Sequence, residues 1–143
     1  MKKVILTSII LIFFASVSLG QNSTDFIGYG RVFGEYKFYQ NDYPLNWNSI
    51  KDIVQSNELA YKEYKKGKKF RVINQIIGSI GGFIVGYQLG YLIRGGEANL
   101  NSLGIGAGIT IVGVSFGIRA VEHLKKSVDI YNEGLKLNTS LNQ

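Results

Sequence analysis

Two long apolar stretches dominate the hydropathy pattern, one from Val72 to Ile93 and one from Leu103 to Ile118, and both are flanked by basic, amphipathic sequence. As a helix rising 1.5 Å per residue, the first covers roughly 33 Å, enough to span a bilayer alone. Between them Arg94, Gly95, Gly96, Glu97, Ala98 and Asn99 form a short polar connection, which predicts antiparallel neighbours. The pattern predicts a mainly α-helical membrane protein. Its core is an antiparallel two-helix transmembrane hairpin with juxtamembrane helical extensions and a small N-terminal β-hairpin or extended arm.

The first helix is expected over 57–93, with its membrane span at 72–93. Asn57 is a good N-cap, Glu58 lies in the first turn, and Glu58 stands four residues before Lys62. A loop over 94–101 leads to a second helix over 102–136 that contains the span 103–118. Beyond Arg119 that helix is amphipathic, with Val121, Leu124, Val128, Tyr131 and Leu135 on one stripe. Gly134 and Asn138 offer a stop, so 137–143 reads as a flexible tail. The stripe either pairs with Ala60 and Tyr64 as a stalk or lies flat on lipid. Segment 21–56 is aromatic and broken by glycine. It offers strand candidates at Arg31 to Phe33 and Tyr36 to Gln40, turn chemistry at Asn41, Asp42 and Pro44, and a short helix from Ser49 to Gln55 capped by Asn48.

Glycine gives the apolar stretches a further pattern. Gly78, Gly82, Gly86 and Gly90 recur every four residues, stripping one helix face to backbone and inviting a second helix close. On a wheel of 100° per residue, Gly106, Gly113 and Gly117 fall within about 40° of one another and form the matching face. Gly104, Gly108 and Ser115 lie opposite, a second small-residue face suited to self-association. Gln88 is a polar exception expected to face the partner helix, and Tyr87 and Tyr91 suit the far interface.

The chain begins with Lys2 and Lys3, an apolar run from Val4 to Val17, and the small-residue sequence Ser18, Leu19, Gly20. This predicts a signal peptide over 1–20, cleaved between Gly20 and Gln21, with an uncleaved anchor helix as the alternative. Export places both basic flanks on the non-cytoplasmic side, against the usual enrichment of cations in the cytoplasm.

A net charge of +6 would suit nucleic acid, but the cations flank the apolar stretches, where anionic headgroups are the natural counterpart. Lys65, Lys66, Lys68, Lys69 and Arg71 before the first span, with Arg119, Lys125 and Lys126 after the second, are read as headgroup contacts. A specific lipid or polyanion site is the sharper alternative. The chain lacks cysteine, which removes disulfides and thiolate metal sites. His123 is the single histidine, and Glu58, Glu63, Glu122 and Asp129 read as helix-face charges. No catalytic residue, metal site or cofactor is therefore expected.

With Gly78, Gly82, Gly86 and Gly90 before the short loop and Gly104, Gly108, Gly113 and Gly117 after it, the chain resembles the glycine-zipper two-helix membrane domains of bacterial envelope proteins. The remainder, ending Ala120, Val121 to Tyr131, Asn132, is similar to small uncharacterised bacterial exported proteins. The resemblance implies a membrane-integrated protein of the bacterial cell envelope, its exported N-terminal segment facing the periplasm or exterior. Its expected partners are membrane lipid, a homo-oligomer or another envelope protein, and not nucleic acid. The residues themselves leave three roles: a non-enzymatic anchored protein of structural or interaction type, an oligomeric pore or permeability element built through the spare small-residue face, or, with a different architecture in which glycine and tyrosine alternate along strands, a small outer-membrane β-barrel.

Overall fold

The computed structural model describes residues 26–141, so the signal-peptide segment and the last two residues lie outside the described part. Three short strands, β1 (Gly28–Val32), β2 (Glu35–Gln40) and β3 (Tyr43–Leu45), form an antiparallel meander in the order β1-β2-β3. Three helices follow: α1 (Trp47–Val54), α2 (Glu58–Ile93) and α3 (Leu100–Leu141).

Both hairpin turns use two residues, because Val32 pairs with Glu35 and Gln40 with Tyr43. Phe33 (φ 49) and Gly34 (φ 86) make the first, Asn41 (φ 50) and Asp42 (φ 65) the second. Two consecutive left-handed residues match the right-handed twist of the strands they join. Asn41 and Asp42 thus continue the sheet, where the sequence pattern has them ending it. Pro44 is tolerated because β3 lies at the sheet edge.

Asn46, and not Asn48, caps α1: its side chain accepts from the backbone N–H groups of Asn48 and Ser49, both at 2.9 Å. Trp47 thereby joins the helix. Asn57 caps α2 by accepting from the Ala60 N–H at 3.1 Å. At the other end Gly95 (φ 80) takes the left-handed position, its N–H donates to Leu92 O and that of Gly96 to Tyr91 O. This paired closure satisfies the last carbonyls of α2 and turns the chain. Asn99 then caps α3, accepting from Ser102 N at 3.1 Å, so α3 begins two residues earlier than the pattern suggests. It also continues past Gly134 and Asn138 to Leu141. Gly134 is no stop because it sits inside the helix against Asn57, where a Cβ would lie 3.0 Å from the Asn57 amide nitrogen.

The core gathers at one end of the molecule. Ile27, Phe38, Ile50, Val54, Ala60, Tyr64, Leu124 and Val128 are buried there, between the sheet, α1 and the polar halves of α2 and α3. Away from this globular end, α2 and α3 run on as an antiparallel hairpin, largely uncovered among the described residues. The β-barrel alternative is corrected: the glycine-rich apolar segments are helical, and strands among the described residues are confined to 28–45.

Candidate functional site

The hairpin seam follows a seven-residue repeat on each helix. On α2 it runs through Gly67, Asn74, Gly78 and Gly81, seven, four and three residues apart; on α3 through Gly106, Thr110, Gly113, Gly117 and Ala120, alternately four and three apart. A Cβ on Gly81 would lie 2.7 Å from the Thr110 backbone nitrogen and 2.9 Å from Gly106 O; one on Gly67 would lie 2.9 Å from Ala120 O. Such spacing is the seven-residue alternation of helices that wind about each other, here drawn together by missing side chains.

This corrects the glycine ladder. Gly78 packs on Gly113, and Gly117 on Asn74, but a Cβ on Gly82, Gly86 or Gly90 meets nothing within 4 Å. A four-residue repeat advances about 40° per step around a helix, so a ladder that starts in the seam at Gly78 has rotated out of it by Gly86. The seam passes instead through Gly67 and Gly81, which the ladder misses. Gly104 and Gly108 also face open space, and the Ser115 hydroxyl donates back to Ile111 O at 3.2 Å. Gln88 accepts from the backbone N–H of Asn99 at 3.0 Å and ties the loop to α2.

Where the helices leave the apolar stretch, polar groups replace glycine in the seam. The Glu63 carboxylate accepts from Lys66 Nζ at 2.7 Å and lies 2.8 Å from His123 Nδ1 and 3.9 Å from Lys126 Nζ. Its side chain is 9% exposed. A carboxylate oxygen only accepts, so Nδ1 carries the ring hydrogen toward it. Lys66 above all, with His123 and Lys126, holds the Glu63 carboxyl below its ordinary range against the opposing effect of burial. Glu63 and His123 are therefore partners across the hairpin and not isolated face charges. The Phe70 ring stacks on His123 with centroids 5.4 Å apart and planes 5° from parallel. Nearby, the buried Ser127 hydroxyl donates to Ala60 O at 2.7 Å.

The sheet is fastened to α3 by a side-chain amide. Asn132 accepts from Ile27 N at 3.0 Å through Oδ1 and donates to Ile27 O at 2.8 Å through Nδ2, occupying both backbone groups as a neighbouring strand would. One strand step along, the Tyr29 hydroxyl donates to the Asp129 carboxylate at 3.0 Å. Burial first, then this hydrogen bond, pushes the Tyr29 phenol above its usual range. Lys125 Nζ lies 4.5 Å from the Tyr36 ring centroid and 5.2 Å from that of Tyr29.

The basic flank thus divides into two groups. Lys65 sits over the Tyr61 ring, Arg71 over Trp47 and Lys125 over the two tyrosines, while Lys66 and Lys126 serve Glu63. Lys68, Lys69 and Arg119 are exposed. No protein-family model, curated protein or solved structure matches this chain. Its site must be read from its own geometry. Two helices are long and apolar enough to cross a membrane, and their most apolar 18-residue windows are only 6% and 17% buried.

Proposed function

We propose that this chain is a non-enzymatic, membrane-integrated protein of the bacterial envelope, in which α2 and α3 cross a bilayer and hold the aromatic globular end at the lipid surface for contact with an envelope partner. The exposed apolar halves of the two helices carry this reading: Phe83, Ile105, Ile111 and Ile118 are exposed among the described residues, on two helices whose apolar halves pack mainly on each other. In water that surface far exceeds what a monomer tolerates; in hydrocarbon it is at home.

The globular core supports the flanks lying together. It combines Ile27 and Phe38, before the first apolar stretch, with Leu124 and Val128, after the second. In the proposed arrangement both flanks share one face of the membrane, and the loop at Glu97 takes the other. The signal-like start of the sequence favours export of the globular end, despite its positive charge. Single cysteines at Asn41 and Glu97, probed in intact cells with an impermeant thiol reagent, test this arrangement. Labelling at Asn41→Cys alone is expected; equal labelling at Glu97→Cys overturns the crossing.

A second reading, assembly of several hairpins into a pore, is favoured by the uncovered glycines. Gly82, Gly86 and Gly90 on α2, with Gly104 and Gly108 on α3, leave backbone open to close approach by another copy. Conductance across reconstituted vesicles, lost in Gly108→Leu, distinguishes a pore from an anchor.

A further inference from the structure

We propose that the β1–β2 turn is an interfacial wedge, its Phe33 ring and neighbouring Val32 seated in the headgroup boundary of an anionic bilayer beside the point where α3 enters it. The inference rests on the reading that α2 and α3 cross that bilayer.

Three observations converge on the turn. Phe33 is the most exposed large apolar residue described, at 104% of its reference area, while Phe38 in the same hairpin is 6% exposed. The Phe33 ring therefore gives nothing to the core. It also occupies a left-handed position (φ 49), where a bulky side chain is disfavoured and Asn, Asp or Gly is normal. The second turn of the same sheet uses Asn41 and Asp42 for that conformation. A costly residue held where the fold has no use for it points to a contact outside the chain.

The height of the turn identifies the contact. Ile27 is latched to Asn132 and Tyr29 to Asp129, so β1 climbs α3 toward the apolar stretch. Four further strand residues at about 3.3 Å each rise at most roughly 13 Å, the length of about nine helical residues, which carries Phe33 up toward Ala120, next to Arg119 and Ile118. In agreement, Arg31 and Gly34 line one wall of an open cleft of ≈ 710 Å³ whose other wall includes Val114, Gly117 and Ile118. Ile118 is the last apolar residue of the span and Arg119 the first charged one. Arg31, Arg119, Lys68 and Lys69 are exposed around the same level and, with Lys125, outnumber Glu35 and Glu122 on the same cleft, a balance that complements anionic headgroups. An aromatic ring among cations at that depth has the chemistry of an interfacial anchor.

The test uses the full chain in vesicles of phosphatidylcholine and phosphatidylglycerol. Phe33→Trp and Asn41→Trp are each made in a Trp47→Phe background, and Ile111→Cys carries an environment-sensitive dye in the naturally cysteine-free chain. Lipids brominated near the headgroup should quench the Phe33→Trp indole several-fold more than the Asn41→Trp indole, with a blue-shifted emission. Lipids brominated deep in the acyl chain should quench the dye at position 111. A quenched dye with equal, weak quenching of the two indoles overturns the wedge and leaves the crossing standing. An unquenched dye overturns both. A blue-shifted Phe33→Trp indole that no bromolipid quenches means a protein surface covers the turn, and it too overturns the wedge.

Discussion

Gly78 and Gly113 face each other across the hairpin so closely that a Cβ on Gly113 would lie 3.1 Å from the Gly78 backbone nitrogen and 3.3 Å from its Cα. Backbone meets backbone there, with no flexible side chain able to yield. Gly81 against Thr110 and Gly106 is tighter still.

Substitution at these glycines should separate seam from free surface. Gly81→Ala is expected to destabilise the hairpin by about 1–3 kcal/mol, the usual cost of overpacking. Gly86→Ala, placed in open space, should leave stability unchanged or raise it through better helix propensity. Thermal unfolding in detergent, followed by circular dichroism, compares the two. Equal loss in both variants would mean that the i+4 ladder and not the observed seam holds the helices.

Acid should weaken the globular end through Glu63. Its carboxyl is held below the ordinary range, chiefly by Lys66, so the folded state binds that proton less readily than the unfolded state. The resulting stabilisation is fully present above the unfolded value and is lost as pH falls through the lower, folded one. Melting temperature is therefore expected to drop below about pH 4, the ordinary carboxylate range. Glu63→Gln should flatten that part of the profile, and an unchanged slope would assign it to other carboxylates.

Asn132→Leu removes both hydrogen bonds to Ile27 and leaves the backbone N–H and C=O just ahead of β1 without that partner. A cost of about 1–3 kcal/mol is expected, confined to the sheet. Hydrogen exchange should show lost protection over β1 with the helical hairpin unaffected; uniform loss would contradict a local latch.

Phe33→Asn keeps the left-handed turn with a residue that accepts it. In detergent, where no bilayer is present, the variant should be more stable by about 1 kcal/mol, read as a raised melting temperature. A fall in stability would show that the ring supports the fold.

Much of the architecture is legible in the sequence. The apolar stretches 72–93 and 103–118 fall inside α2 and α3, Asn57 caps α2, and the stripe with Leu124 and Val128 packs beside Ala60 and Tyr64. What escapes has specific physical causes. The ladder Gly78, Gly82, Gly86, Gly90 is conspicuous because it is regular, but the seven-residue repeat through Gly67, Asn74 and Gly81, with Gly78 between, is what keeps a face turned toward a partner. Gly67 is hidden among lysines. The Glu63–His123 pair joins residues 60 apart, so no local spacing announces it. Asn132 escapes for the same reason: its bonds to Ile27 join residues 105 apart, and no local spacing marks a side-chain amide as a strand surrogate.

The latch between Ile27 and Asn132 spans 105 residues of chain. The first strand to be synthesised therefore has no seat until nearly all of the polypeptide has emerged. Assembly of the sheet on its helix becomes a late checkpoint: a chain whose α3 fails to fold back along α2 leaves its tyrosine-rich arm undocked and open to proteolysis.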